Sequence, residues 1–217
     1  MTTHPTLTRL RHIAIEGPIG VGKTSLARRL GQRLGARLLL EQPEANPFLE
    51  RFYRDRARFA LPTQLVFLFQ RVQQLGELAQ LDLFRSQVVA DFMLEKDALF
   101  ARLTLADDEF RLYQAIHDRL APQAPPPDLV VYLQARPETL LGRVAQRANP
   151  IEDGITEAYL RSLSEAYALF FHHFDGAPVL IVNSEHLNLA ERDDDFELLL
   201  DRIDRMRGRR EVFSVGA

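Results

Sequence analysis

The chain has 217 residues, 46% of them hydrophobic and 26% charged, which is ordinary for one folded domain. Its formal net charge is −3, so no overall positive charge attracts nucleic acid or an anionic membrane. There are no cysteines, which excludes disulfides and thiolate metal sites. The start lacks the apolar core of a signal peptide and no later run is long enough to cross a bilayer, so we expect a cytoplasmic protein without membrane or nucleic-acid partners.

Apolar runs alternate with helical patterns along the chain, after a start (residues 1–10) that we expect to be loose. Five runs are typical of strands, at residues 11–17, 36–42, 87–92, 129–135 and 178–184. Helical spacing covers residues 23–34, 60–81, 94–121 (in one or two pieces), 136–147, the segment from 156 and 189–207, and a stiff proline-rich connector covers 124–128. The alternation predicts one α/β domain, residues 1–217, with a parallel sheet covered by helices on both faces.

The stretch GPIGVGKT at residues 17–24 joins the first strand to the first helix and fits G-x-x-x-x-G-K-[ST]. Glycines let backbone N–H groups curl around phosphate oxygens, and the helix N-terminus adds partial positive charge. Lys23 can then reach the terminal phosphates, while the Thr24 hydroxyl can ligate Mg²⁺. We predict that ATP is bound by Gly17, Pro18, Ile19, Gly20, Val21, Gly22, Lys23, Thr24 and Ser25.

This loop does not by itself name a reaction. The N-K-x-D motif with which GTPases read guanine is missing, and so is the L-S-G-G-Q signature of transporter ATPases. A small kinase remains, and its phosphate acceptor has to be inferred from other residues.

Six stretches together point to one kinase family. They are GPIGVGKTSLA (17–27), LEQPEANPFLERFY (40–53), FALPTQLVFLFQR (59–71), DFMLEKDALFA (91–101), PDLVVYL (127–133) and RVAQRANPIEDGI (143–155). In this order and spacing the chain resembles the deoxynucleoside kinases, particularly the bacterial deoxyadenosine and deoxyguanosine kinases. The resemblance implies a P-loop NTPase-type doubly wound sheet of five parallel strands in the order 2-3-1-4-5. It also implies phosphoryl transfer from ATP, with Mg²⁺, to the 5′-hydroxyl of a deoxynucleoside, with a purine nucleoside favoured.

The resemblance also assigns an acceptor site. Glu41 ends the second strand, where open α/β sheets place ligand-facing groups, and matches the general base for the 5′-hydroxyl proton. The family usually has Glu-Pro, whereas one residue separates Glu41 from the proline here, which leaves Glu44 as the alternative base. Tyr53 and Glu152 match the pair that hydrogen-bonds the sugar 3′-hydroxyl.

Base recognition is implied for the long helix. Gln64 matches the glutamine whose amide reads the base edge, since an amide can donate and accept at once. Arg71, seven residues on, matches an arginine beside the base and the reacting centre, although both could simply solvate a helix face. Phe48, Phe67 and Phe92 are candidates for walls of the base site, or else are core residues.

Phosphate handling departs from the family pattern in one place. Asp91 ends the third strand at the position of a Walker-B acid that orients Mg²⁺ together with Thr24. Where relatives often continue with an arginine, this chain has phenylalanine and methionine. Lys96 is our candidate for the positive charge near the 5′-oxygen; the alternative is a surface helix lysine.

A lid is implied for residues 143–154. Arg143 and Arg147 lie four apart on one helix face, and the resemblance makes them the arginines that close over the ATP phosphates. A third lid arginine, usual in many relatives, falls near Asn149 and is missing. With Glu41 and Lys23, these two arginines complete the predicted catalytic set.

Two other functions stay open from the sequence. A nucleoside monophosphate kinase needs arginines around the acceptor, where only Arg71 is found, and a non-catalytic nucleotide-binding relative is compatible with the two missing arginines. The basic stretch 205–210 is more typical of a cationic helix end than of a nucleic-acid site. Relatives pair through long helices, so we expect a homodimer formed by residues 60–80 and 106–120.

Overall fold

The computed structural model describes residues 4–80, 87–120 and 126–215, which form a parallel sheet with helices packed around it. Its order is β2-β3-β1-β4-β5-β6, and every pairing is parallel. The strands are β1 His12–Glu16, β2 Arg37–Leu39, β3 Val88–Ala90, β4 Leu129–Gln134, β5 Val179–Asn183 and β6 Arg210–Phe213. The predicted α/β class and the order of the first five strands are confirmed, and those five lie inside the predicted ranges.

The sixth strand corrects the expectation of five. The basic stretch 205–210 was predicted to be the end of a helix. Only Arg205 belongs to α8, and the stretch leads into β6, which begins at Arg210. This strand forms the edge of the sheet beside β5, and Val212 is 64% exposed on it. An edge strand with so little buried apolar surface carries no strong hydrophobic pattern.

Eight α-helices connect and cover the strands in the described part of the chain. They are α1 Lys23–Leu34, α2 Leu49–Arg54, α3 Arg56–Gln80, α4 Asp97–Thr104, α5 Asp107–Leu120, α6 Pro137–Arg147, α7 Glu157–His173 and α8 Asp193–Arg205. The helix predicted for 94–121 is split into α4 and α5, and α2 was not predicted because six residues give too short a periodic pattern. Residues 81 and 121 and the start of the 124–128 connector lie outside the described residues. None of the described helices is long and apolar enough to cross a membrane.

The start of the described chain is held against α8, unlike the loose end expected for residues 1–10. Leu7 is buried in the main core, and the backbone N–H of Thr6 donates to Asp204 Oδ1 at 2.7 Å. A single leucine and one hydroxyl-bearing residue are too few to reveal such an anchor in the sequence. Residues 1–3 lie outside the described residues.

The parallel sheet brings three chemically important turns to one edge. β1 leads into the glycine loop, β2 leads to Glu41, and β3 leads to Asp91. Ala90 of β3 is in register with Ala14 of β1 on one side and with Leu39 of β2 on the other. The carboxyl ends of the three strands therefore deliver their loops to a common cleft, as is usual in open α/β sheets.

Candidate active site

The glycine loop curls tightly between β1 and α1. Gly22 has φ of +99°, and a Cβ placed on it points into open space, where a ligand could approach the backbone. Gly17 is different, because a Cβ there would lie 2.4 Å from the carbonyl oxygen of Leu133. Lys23 Nζ donates to the carbonyl oxygens of Gly17 at 2.9 Å and Pro18 at 3.3 Å. Burial, followed by the charge of Lys96, lowers the pKa of Lys23.

Two cavities meet at this loop. The loop cavity, about 590 Å³, lies between the glycine loop, α6 and the segment after β5; its lining includes Gly20, Val21, Gly22, Ser25, Arg143, Arg147 and residues 184–191. The strand-end cavity, about 130 Å³, lies beyond the carboxyl ends of β2 and β3. Gly20 and Arg147 line both, so the two spaces adjoin.

The strand-end cavity brings together most of the residues predicted for the acceptor. Its lining includes Ile19, Gly20, Lys23, Thr24, Glu41, Tyr53, Gln64, Phe67, Arg71, Lys96, Arg147 and Glu152. The sequence predicted these residues from separate stretches that span more than a hundred positions. The cavity thus unites the predicted phosphate loop with the predicted base, sugar and nucleobase contacts.

Three aromatic and acidic candidates do not line the cavity. Phe92 is 1% exposed and packs with the hydrophobic cluster of Leu39, Leu75 and Val88, because it faces away from the side of the strand end that carries Asp91. Phe48 lies under the guanidinium of Arg51 instead. Glu44, the alternative base, is exposed in a short 3₁₀ turn. The predicted substrate contact by Phe92 is therefore corrected.

Glu41 is held by two cations. Arg71 pairs with Glu41 Oε1, its Nε atom donating at 3.1 Å, and Lys96 Nζ donates to the same oxygen at 3.3 Å. Burial raises the pKa of Glu41, but the charges of Lys96, Arg71 and Lys23 outweigh burial and hold that pKa below its ordinary value. The carboxylate is therefore ionised and accepts hydrogen bonds at neutral pH.

Arg71 has a second buried anion as its partner. It forms an ion pair with Asp97, which is fully buried and also accepts a hydrogen bond from the Tyr113 hydroxyl. The guanidinium thus bridges the end of β2 and the start of α4. A rigid arginine in this position sets one wall of the strand-end cavity.

Asp91 lies where the glycine loop and the end of β2 meet. It accepts hydrogen bonds from the Thr24 hydroxyl and, at 2.7 Å, from the backbone N–H of Glu41. Burial and the nearby charge of Glu41 raise the pKa of Asp91. Within the described residues no three acidic or histidine side chains form a metal cluster. A hydroxyl and one carboxylate suit Mg²⁺, which takes few protein ligands and completes its shell with phosphates and water.

Part of the lining of the strand-end cavity is apolar. Leu49, Phe52, Phe67, Phe100 and Tyr159 line it. Gln64 is only 3% exposed, and its Nε2 atom donates to Thr104 Oγ1 at 3.3 Å. An amide held in an apolar slot can recognise the polar edge of a flat heterocycle.

Tyr53 and Glu152 both line this cavity, and the charge of Glu152 acts on the Tyr53 hydroxyl. Burial raises the pKa of Tyr53 well above its ordinary value, so its hydroxyl keeps its proton. Glu152 forms an ion pair with Arg147 at 3.0 Å, and burial raises the pKa of this carboxyl. The pair offers one donor and one acceptor to a ligand hydroxyl.

Arg143 and Arg147 share a helix face, and both line the loop cavity. Arg143 donates to the carbonyl oxygen of Ser184 at 2.7 Å and lines only the loop cavity, whereas Arg147 lines both cavities. Glu185 fixes the start of α6 by accepting from the backbone N–H of Arg136 at 2.9 Å. Burial opposes ionisation of Glu185, but hydrogen bonds from Arg136 and Thr139 lower its pKa to about 2.

Several residues of the site were missed in the sequence. Glu16 and Asp97 are fully buried carboxylates in contact with the cations of the cavity, and Thr63 and Tyr159 line its wall. The sequence did contain a signal for Glu16, because a charged residue at the end of a buried apolar strand needs a compensating partner. Nothing in the pattern of α4 distinguished Asp97 from an ordinary first-turn acid.

Comparison with known proteins gives one consistent result. The sequence profile of the deoxynucleoside kinase family matches residues 13–206. A deoxyguanosine kinase of Bacillus subtilis (strain 168) is 34% identical over 85% of this chain and 92% of its own length. The deoxyadenosine/deoxycytidine kinase of the same organism is 28% identical over 88% of this chain and 90% of its own length. A solved deoxyadenosine kinase from M. mycoides, 24% identical, shares the fold with a TM-score of 0.76 over 90% of this chain and all of that one.

Proposed function

The chain belongs to the deoxynucleoside kinase family, and we propose that it transfers the terminal phosphoryl group of ATP to the 5′-hydroxyl of a deoxynucleoside. The observation that carries the proposal is that Lys23 and Glu41 line the same cavity. In-line transfer to an alcohol needs a group that holds the phosphates and a group that accepts the proton, and this cavity has a lysine and an ionised carboxylate for these tasks.

ATP occupies the loop cavity in this proposal, with its phosphates on the glycine loop and its base toward residues 184–191. The open approach to Gly22 and the start of α1 favour anions at this place. Thr24 and Asp91 would hold Mg²⁺, whose charge offsets that of the phosphates. Arg147 lies at the junction of the cavities, where negative charge is shared between donor and acceptor.

Glu41 accepts the proton of the 5′-hydroxyl as that oxygen attacks phosphorus. Its ionised state is secured by Arg71 and Lys96. A carboxylate with a lowered pKa is a weak base, but the alcohol becomes strongly acidic once its oxygen bonds to phosphorus, so late proton transfer suits such a base. Lys96, only 1% exposed, brings a positive charge near that oxygen.

The sugar and the base fill the rest of the strand-end cavity. Tyr53 and Glu152 bind the 3′-hydroxyl, the first as donor and the second as acceptor. Gln64 contacts the polar edge of the base, while Phe67 and Phe100 enclose its faces. The names of the similar Bacillus proteins, a deoxyguanosine kinase and a deoxyadenosine/deoxycytidine kinase, support a purine as the favoured base.

The charge arrangement favours a neutral acceptor over a nucleoside monophosphate. Arg71 is already paired with Glu41 and Asp97, and Lys96 is paired with Glu41, so neither cation is available for an acceptor phosphate. Adding a dianion there would leave these carboxylates facing further negative charge. The cytoplasmic location and the homodimer stay predictions of the sequence.

A substrate screen tests the proposal. The purified protein is incubated with ATP, Mg²⁺ and each of the four deoxynucleosides, with dAMP and dGMP in parallel, and the products are resolved by chromatography. We expect 5′-monophosphates, formed fastest from deoxyguanosine or deoxyadenosine, and no diphosphate from dAMP or dGMP. Exclusive use of the monophosphates, or hydrolysis of ATP without transfer, would refute the proposal.

A further inference from the structure

The last residue of β1, Glu16, is a carboxylate with no exposed surface that lines neither cavity. Its Oε1 atom accepts from the backbone N–H of Met93 at 2.8 Å. Its Oε2 atom accepts from the Tyr167 hydroxyl at 3.0 Å and from the backbone N–H of Gly17 at 3.2 Å. These contacts join β1, the turn after β3 and helix α7 at one buried point.

The Glu16 carboxylate also lies 3.7 Å from Lys96 Nζ. That ammonium group is 1% exposed and donates to Glu41 at 3.3 Å, so it stands between a carboxylate that lines the strand-end cavity and one that does not. Burying an ammonium group is costly unless anions and hydrogen bonds compensate it. Burial raises the pKa of Glu16, whereas the charges of Lys96 and Lys23 lower it, so Glu16 and Lys96 stabilise each other's charged form at this buried place.

Met93 lies two residues after Asp91, and its backbone N–H donates to Glu16. This hydrogen bond fixes the path of the chain from Asp91 toward the 3₁₀ turn Leu94–Lys96, and hence the point from which the Lys96 side chain starts. Glu16 therefore constrains Lys96 in two ways. Its carboxylate lies near the ammonium group, and it holds the backbone at Met93, three residues before Lys96.

We propose that Glu16 is a positioning residue that holds Lys96 against Glu41 and the reacting oxygen. The inference rests on the proposed phosphoryl transfer, since Lys96 matters only if charge develops at that oxygen. Glu16 itself touches neither substrate. Its effect is carried by the orientation and charge balance of Lys96.

A double-mutant cycle tests this role. Glu16→Gln, Lys96→Met and the double variant are compared with wild type in kcat, KM for both substrates and free energy of unfolding. We expect Glu16→Gln to lower kcat about 10- to 100-fold with KM changed less than about threefold, and to change kcat less than about twofold when Lys96 is already methionine. A merely structural carboxylate would lower kcat by the same factor in both backgrounds.

Two further variants serve as an independent test and as a control. Tyr167→Phe removes one donor to Glu16 without changing charge, and we expect a smaller loss of kcat that again disappears in the Lys96→Met background. Asp204→Asn removes a carboxylate that holds Thr6, away from both cavities, and should lower stability while leaving kcat within about twofold. If Glu16→Gln does not fold, the Tyr167→Phe cycle decides.

The outcomes separate the two claims. If the wild type is active but Glu16→Gln or Tyr167→Phe lowers kcat by the same factor in the wild-type and Lys96→Met backgrounds, only the inference about Glu16 is overturned. A wild type that phosphorylates no deoxynucleoside overturns the proposed function, and the role of Glu16 with it.

Discussion

Among single residues, Lys96 is notable because its ammonium group lies near two carboxylates, Glu16 and Glu41. Four buried or half-buried carboxylates (Glu16, Glu41, Asp91 and Asp97) face three cations, Lys23, Arg71 and Lys96. Together with Arg71 and Lys23, Lys96 lowers the pKa of Glu41. Its removal leaves the buried carboxylates with less compensation and should change the pH at which the base works.

We predict that Lys96→Met moves the acid limb of kcat/KM to higher pH. The ionised carboxylate of Glu41 is the active form, and Lys96 holds its pKa below the ordinary value. Without that charge, the carboxyl is protonated at a higher pH, so activity is lost earlier on acidification. Profiles of kcat/KM against pH for wild type, Lys96→Met and Lys96→Arg measure this. Lys96→Arg keeps the charge and should keep the limb near its wild-type position; coincident limbs in all three would contradict the assignment.

The residues that contact the proposed acceptor could largely be predicted, but only through the family resemblance. Gln64 and Arg71 are seven apart on α3, and this spacing alone fits an ordinary solvated helix face equally well. What the sequence could not show is how the charges are shared. The pairing of Arg71 with Asp97, and of Glu16 with Lys96, depends on which strand end meets which helix start in space.

At the scale of elements, the contact between the glycine loop and α6 determines how the two cavities join. Gly20 has φ of +84°, and a Cβ on it would lie 2.7 Å from the carbonyl oxygen of Leu140 in α6. The helix carrying Arg143 and Arg147 is therefore packed directly on the loop. A side chain added at Gly20 should therefore displace both the glycine loop and α6.

We predict that Gly20→Ala destabilises the protein by about 1–3 kcal/mol, which lowers Tm by roughly 2–12 °C and raises KM for ATP. The cause is a left-handed backbone combined with a clash against a carbonyl oxygen that cannot move without α6. Gly142→Ala is the matched control, since Gly142 is exposed within α6 and a Cβ there meets nothing. It should stabilise by about 0.5–1 kcal/mol. Equal melting temperatures for the two variants would show that the loop does not bear on α6.

Elements with a strong apolar pattern were predictable, and weakly patterned ones were not. The central strands β1 and β4 are almost wholly buried, and α1 begins and ends where its pattern does. By contrast, β6 alternates exposed and half-buried residues, and α2 buries only Leu49 and Phe52. Such short or marginal elements are stabilised by tertiary contacts that local sequence does not encode.

At the scale of the whole molecule, the loop cavity and the strand-end cavity adjoin at the carboxyl edge of the sheet and differ in their lining. The loop cavity offers backbone N–H groups and arginines, whereas the strand-end cavity is closed by buried ion pairs and aromatic rings. Arg147 lines both and is paired with Glu152. In the proposed reaction Glu152 binds the sugar and Arg147 the phosphates, so both partners of this ion pair contact a substrate. We therefore predict that binding of the two substrates is coupled through this ion pair, and closure of residues 143–154 stays a proposal.

The central claim is that Glu41 removes the proton of a deoxynucleoside hydroxyl while Lys23 and its loop hold ATP. Glu41→Gln tests it most directly, with single-turnover phosphorylation of deoxyguanosine and deoxyadenosine followed by rapid quench, and ATP affinity and Tm measured on the same preparations. We predict a rate about 10²- to 10⁴-fold below wild type, with ATP affinity within about threefold and the fold intact. A Glu41→Gln protein that phosphorylates as fast as wild type would contradict the account.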